Sequence, residues 1–157
     1  MTTIAYDGKV LAADGRATIG NLISAKKTQK IFPVKVACFG VPCMAVLAGA
    51  GSYQSIMQVK QHLETQDFFE SEQIPELEPT SFTGIVVLET GEAFILEDRL
   101  MPMPAELPLS IGSGTDYAMT AMHLGKNAYE AVQAACELDC YSGGEISRFC
   151  VENWKFL

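Results

Sequence analysis

Thr2-Thr3-Ile4-Ala5-Tyr6-Asp7-Gly8-Lys9-Val10-Leu11-Ala12-Ala13-Asp14 follows Met1 at the start of the chain. Asp7-Gly8 suits the positive φ angles of a tight turn, and the residues on either side favour extended structure. Residues 2–5 are therefore expected to pair with residues 9–13 as an antiparallel hairpin.

The elements that follow decide what this hairpin belongs to. Residues 16–25 contain Gly20-Asn21 and few strong signals, and read as a loop that folds back. Residues 26–32, 35–39 and 44–48 read as strands, with Pro33 and Pro42 confined to the turns. A helix is expected over 52–64, where Ser52 can cap and Ile56, Val59 and Leu63 recur on one face. Residues 66–80 are acidic, contain Pro75 and Pro79, and read as a surface loop with at most a short helical turn. A second hairpin is expected from residues 82–89 and 92–97 around Thr90-Gly91. Residues 101–104 read as a linker. Helices over 117–124 and 128–138 follow, separated by Gly125, the second with an apolar stripe of Ala128, Val132, Ala135 and Leu138. Strands, one helix, more strands and then two helices is the order of an α+β protein. A four-layer αββα sandwich, two antiparallel sheets between helices, uses that order best.

Composition narrows the function classes. A chain of 157 residues reads as one domain, 1–157, long enough to bury a substantial core. The sequence is 48% hydrophobic and 19% charged, and no apolar run approaches the ~20 residues of a membrane span, so a soluble protein without a membrane partner is expected. A net charge of -8 without a cluster of Lys and Arg argues against a nucleic-acid partner. The acidity concentrates in residues 64–78, which read as a solvated loop or a docking surface. No secretory signal is visible, which points to the cytoplasm. Five cysteines without an export signal favour reduced, mostly buried thiols. Cys136 and Cys140 have helical spacing that can present two ligands, but His62 and His123 sit in unrelated segments, where they read as surface or partly buried helix residues. Neither a metal nor a cofactor is expected.

The start of the chain carries a chemical possibility. If Met1 is removed, Thr2 holds a hydroxyl and a free α-amine on one residue, a nucleophile beside a base. Alone the signal is weak, because Thr is also a good strand residue. Four further segments accompany it in order: Ala13-Asp14-Gly15-Arg16-Ala17-Thr18-Ile19-Gly20-Asn21, then Lys30, then Ile111-Gly112-Ser113-Gly114-Thr115-Asp116-Tyr117-Ala118, then Asp139-Cys140-Tyr141-Ser142-Gly143-Gly144. Together these resemble the proteasome β-subunit and its bacterial relative, the HslV-type peptidase, over nearly the whole chain.

The resemblance implies the N-terminal nucleophile hydrolase sandwich and threonine-type hydrolysis of peptide bonds. It assigns Thr2 Oγ1 as nucleophile and the Thr2 amine as base. An α-amine titrates near ~8, well below a lysine side chain, and a nearby ammonium favours its neutral form. Lys30 would supply that charge, and Asp14 would hold Lys30. Ser113, Asp139 and Ser142 would form a hydrogen-bonded group around the amine. Each has a plainer reading as well. Lys30 is one charge among Lys26, Lys27 and Lys30, the two serines adjoin glycines as turn residues do, and Asp139 can close a helix.

The oxyanion donor is less determined. In the family a backbone N–H comes from an Ala-Gly pair before the long helix, and Ala45-Val46-Leu47-Ala48-Gly49-Ala50-Gly51 permits two registers. Residue type selects Gly49, preceded by Ala48, whereas counting back from the helix points nearer to Val46. Thr18 joins these as a substrate-binding candidate. Residues 66–80 replace most of the family's second helix, and only residues 145–157 follow Gly144. The implied partners are a homo-oligomeric ring around the site, unfolded polypeptide substrates, and a possible separate ring ATPase. The expectation is that Thr2 follows the initiator Met without a propeptide and that methionine aminopeptidase frees its amine. Two other readings accompany the endopeptidase: a catalytically silent ring-assembly protein, and a small-molecule amidase of the same fold.

Overall fold

The computed structural model describes residues 2–157. In chain order the elements are β1 (Thr3–Tyr6), β2 (Val10–Ala13), β3 (Ala17–Ile19), β4 (Leu22–Ala25), β5 (Ile31–Cys38), β6 (Val41–Gly51) and α1 (Tyr53–Thr65). Then come β7 (Phe82–Leu88), β8 (Ala93–Leu96), β9 (Met103–Pro104), β10 (Leu109–Gly112), α2 (Thr115–His123), α3 (Ala128–Leu138), β11 (Ser147–Cys150) and β12 (Lys155–Phe156).

The opening hairpin forms as expected, with Ile4 opposite Ala13 and Tyr6 opposite Leu11. Asp7 does two jobs in its turn. Its Oδ1 accepts the Val10 N–H at 2.9 Å, and its Oδ2 accepts the N–H of Ala128, the first residue of α3, at 2.8 Å. A carboxylate there satisfies one of the orphan donors at the helix start and favours the positive end of the helix dipole. The turn that makes the hairpin thus also ties α3 onto the sheet.

One five-stranded sheet has the order β10-β1-β2-β11-β12, and a second has the order β5-β6-β7-β8-β9. All of the named strand pairs in both sheets are antiparallel. The two sheets face each other across a core that includes Ile4, Tyr6, Leu11, Ile31, Val46, Ile85, Val87 and Phe149. The opposite face of the first sheet presents Ala5 and Ala12 to Ala128, Ala131, Val132 and Ala135 of α3. These small side chains let helix and sheet approach closely. On the far side of the second sheet, Leu47, Val86 and Leu88 pack with Ile56, Val59 and Leu63 of α1. The four layers of the expected αββα sandwich are therefore present, in agreement with the strand alternation along β1, β2, β6 and β7.

Several local expectations are corrected. Residues 16–25 form the β3–β4 hairpin, in which all four residues of β4 are exposed. Residues 26–30 are not strand. Pro33 and Pro42 lie inside β5 and β6, not in turns. Pro33 is tolerated because β5 is an edge strand, where a residue without an N–H can face away from the ladder. Residues 103–104 of the expected linker pair with β8 as β9. After Gly144 the chain returns to the first sheet, and β11 pairs with β2 along its length. Residues 66–81 contain no regular helix, yet they cover the outer core: Phe68 and Leu77 are buried in it, and Asp67 accepts the Gly40 N–H at 2.8 Å. His62 is buried, whereas His123 is exposed; of the five free cysteines only Cys150 is fully buried. Among the described residues, no helix is long and apolar enough to cross a membrane.

Candidate active site

The open end of the β1–β2 hairpin creates the site. Thr3 and Asp14 face each other there: the Thr3 N–H donates to Asp14 Oδ1 at 3.0 Å, and the Asp14 N–H donates to the Thr3 carbonyl at 3.1 Å. Asp14 is fully buried. Lys30 stands immediately before β5, so the packing of one sheet on the other brings it across to this corner. Its Nζ donates to Asp14 Oδ1 at 2.7 Å and to the Arg16 carbonyl at 2.7 Å. The reading of Lys30 as one more exposed charge fails, since its side chain is 6% exposed.

Asp14 has no unmet acceptor demand. Its second oxygen takes the Gly143 N–H at 3.0 Å and the Arg16 N–H at 3.4 Å. Burial lowers the pKa of Lys30 and outweighs the upward pull of the Asp14 charge and hydrogen bond. The ammonium therefore gives up its proton more readily than an ordinary lysine.

A second polar group closes over the same corner. Ser113 Oγ and Ser142 Oγ each donate to Asp139 Oδ2 at 2.6 Å. Asp139 also ends α3, so closing the helix and holding the two serines fall to one residue. Burial raises its pKa, but the hydrogen bonds from Ser113 and Ser142 more than reverse this and hold the carboxyl below its ordinary range. Ser113 Oγ lies 3.4 Å from the Thr2 carbonyl.

Thr3 joins the two groups, and sequence reading passed over it. Its Oγ1 is 2.6 Å from Ser142 Oγ. An ionised carboxylate can only accept, so Ser142 gives its hydroxyl proton to Asp139, and Thr3 must donate to Ser142. The backbone of Thr3 holds Asp14 while its side chain holds the Asp139 group. A signal was available: in a strand whose Ile4 and Tyr6 face the core, a wholly buried threonine beside Thr2 needs a hydrogen-bond partner.

Thr2 itself is buried against β10. Gly112, at φ 98°, makes that approach possible, because a Cβ there would collide with the Thr2 carbonyl oxygen. Met1, and with it the expectation of its removal, lies outside the described residues.

The two oxyanion registers separate cleanly. The Gly49 N–H points to the Lys30 side of β6, where it donates to the Lys30 carbonyl at 3.1 Å. N–H groups alternate between neighbours along an antiparallel strand, and the β5–β6–β7 register is unbroken around Val46. Val46 therefore turns its N–H toward β7, and its side chain is wholly buried between the sheets, which removes it from the site. The Ala48 side chain lies in that same core and lines no substrate face. Thr18 is half-buried on β3, opposite Ile23.

Cys136 is electrostatically coupled to Asp14 and Lys30 but does not compete as a nucleophile. Burial and then the Asp14 charge push its thiol up to about 11, leaving it protonated at neutral pH. A separate hollow of about 520 Å³, lined by Thr80, Phe82, Met101 and Met103 among others, contains none of the candidate residues.

Comparison with known proteins bears on the fold. No family model matches the sequence. The proteasome subunit beta of Nanoarchaeum equitans (strain Kin4-M) is 36% identical over 70 residues, 42% of this chain and 32% of that protein. The chain thus matches about a third of the length of this curated relative. The solved structure of Thiobacillus denitrificans BPH superposes with a TM-score of 0.67 at 19% identity, covering 94% of this chain and 95% of that one. BPH in complex with epoxomicin gives 0.66 at 17% identity, with 94% and 96% covered. At these identities the two structures establish the fold. The chain therefore has the fold of BPH over nearly its whole length, and part of its sequence is similar to a proteasome subunit beta.

Proposed function

We propose that the protein is a threonine-type endopeptidase whose nucleophile is Thr2 Oγ1. The observation that carries this is the buried Lys30–Asp14 pair, anchored to the N–H of the residue after Thr2. Once the Met1–Thr2 bond is cut, the α-amine of Thr2 takes the hydroxyl proton as Oγ1 adds to the carbonyl carbon of a peptide bond. The carbonyl π electrons move to oxygen, where the Gly49 N–H, exchanging its bond to the Lys30 carbonyl, stabilises the charge. Collapse breaks the C–N bond, and the amine returns the proton to the leaving nitrogen. Water then attacks the ester, the amine again serving as base, and the acid product leaves with Thr2 restored.

In this reading Lys30 keeps the Thr2 amine neutral, Asp14 fixes Lys30, and the Ser113–Asp139–Ser142 group orients the amine. The substrates are unfolded polypeptides, admitted to a homo-oligomeric ring with Thr2 facing inward and fed by a separate ring ATPase. A ring gives a single site the means to exclude folded proteins.

The test uses Met-free protein with epoxomicin or a peptide boronate, and Thr2→Ala as control. An adduct at Thr2, lost in the control, is expected, together with rings in electron micrographs. Absence of both adduct and peptide hydrolysis would sink the endopeptidase. The occupied Gly49 N–H favours a second reading, a catalytically silent ring-assembly protein, which predicts rings without an adduct.

A further inference from the structure

The reaction gives the charged side chain of Arg16, in the Ala13-to-Asn21 motif, no role, yet that side chain lies across the site. Its Nη1 donates to the Cys140 carbonyl at 3.1 Å, and its guanidinium lies flat enough on Gly143 that a Cβ there would stand 2.5 Å from Cζ. Its Nε is buried with no hydrogen-bond partner among the described residues, so packing and a single hydrogen bond hold this group in place. The loop it covers, residues 139–144, carries Asp139, Ser142 and the Gly143 N–H that holds Asp14. The Arg16 backbone meanwhile accepts Lys30 Nζ and donates to Asp14.

We propose that Arg16 is a positioning residue: its guanidinium clamps the 139–144 loop against the Asp14–Lys30 pair, so that the two polar groups meet around Thr2 in one geometry. The proposal rests on the hydrolase reading above. A planar fork is required because it must both lie on Gly143 and reach the Cys140 carbonyl; a lysine ammonium offers only a point charge on a flexible stem.

Gly143 supplies a discriminating partner. The nearest atoms to a Cβ at position 143 all belong to the Arg16 guanidinium, the far end of a flexible side chain. Gly143→Ala should therefore displace Arg16 while the backbone and the Gly143 N–H stay in place.

The experiment measures epoxomicin labelling of Thr2 in Met-free protein by intact mass, across inhibitor concentration, for wild type, Arg16→Ala, Arg16→Lys, Gly143→Ala and Arg16→Ala/Gly143→Ala. Misplacing a reacting group by an ångström costs about 100-fold, so each single variant should lower the maximal labelling rate about 10- to 100-fold, with half-saturation changed less than about threefold. The double variant should match Arg16→Ala alone, because the clash has lost its partner. Wild-type labelling rates in folded Arg16→Ala or Gly143→Ala, or a further loss in the double variant, would overturn the clamp while leaving the hydrolase reading intact. A folded wild type that is never labelled at Thr2 would overturn the hydrolase reading and the clamp with it.

Discussion

Replacing Lys30 by methionine tests the centre of the site, because structural and chemical consequences can be read separately. Lys30→Met preserves most of the length of the buried stem but removes the charge that faces Asp14 at 2.7 Å. Breaking a buried pair from one side costs about 3–5 kcal/mol. Asp14 retains the N–H groups of Thr3, Gly143 and Arg16, which offsets part of this and places the loss near the lower bound. For a chain of this length about 3 kcal/mol lowers Tm by roughly 6–12 °C. The same substitution removes the charge proposed to keep the Thr2 amine neutral, and a lost acid–base contribution of this kind is worth about 10²- to 10⁴-fold in rate. Calorimetry gives the first quantity. Epoxomicin labelling of Thr2, well below the lowered Tm, gives the second, and sedimentation checks that assembly matches wild type. Rapid labelling of folded Lys30→Met would show that the lysine serves stability alone. An unchanged Tm would show that the pair is not buried as described.

Three further substitutions address the rest of the site. Thr3→Val keeps the shape of the residue but removes the hydroxyl that donates to Ser142, so labelling should fall about 10-fold or more for one lost buried hydrogen bond, while Thr3→Ser should restore it; equal rates for Val and Ser would exclude the proton chain. Val46→Ala should cost about 2 kcal/mol in denaturant melts through lost burial and leave labelling per folded molecule unchanged. A selective loss of rate would return Val46 to the site. The third concerns pH. The folded pKa of Asp139 lies below its ordinary 3.8, so as pH falls the unfolded chain takes up this proton first. Its stabilisation is complete above 3.8 and disappears as pH drops through the folded value. Urea melts should then show a smaller loss between neutral pH and pH of about 3 for Asp139→Asn than for wild type; parallel curves would contradict the depressed carboxyl.

Local features were readable where adjacent residues settle them. Asp7-Gly8 fixed a turn, Ser52 an N-cap, and the spacing of Ile56, Val59 and Leu63 an amphipathic face, since each depends on chemistry within a few residues. The β3–β4 hairpin was missed because its exposed strands carry no alternation between a buried and a solvated face. Pro33 was placed in a turn because a single sequence does not say which strand lies at a sheet edge. The choice between Gly49 and Val46 had the same origin: the side to which an N–H points follows from strand register.

What the sequence determined by itself was the order of layers and the set of chemically capable residues: Thr2, Asp14, Lys30, Ser113, Asp139 and Ser142. Hydrophobic periodicity, turn chemistry and motif order are properties of the chain read from end to end. Only the tertiary structure decided how those residues are joined. It made Thr3 the link between the Asp14 and Asp139 groups, placed the Gly49 N–H on the Lys30 carbonyl, moved Val46 into the core, and laid Arg16 across Gly143. These contacts span segments distant in sequence, and their geometry is set by the packing of one sheet on the other, which no local pattern encodes.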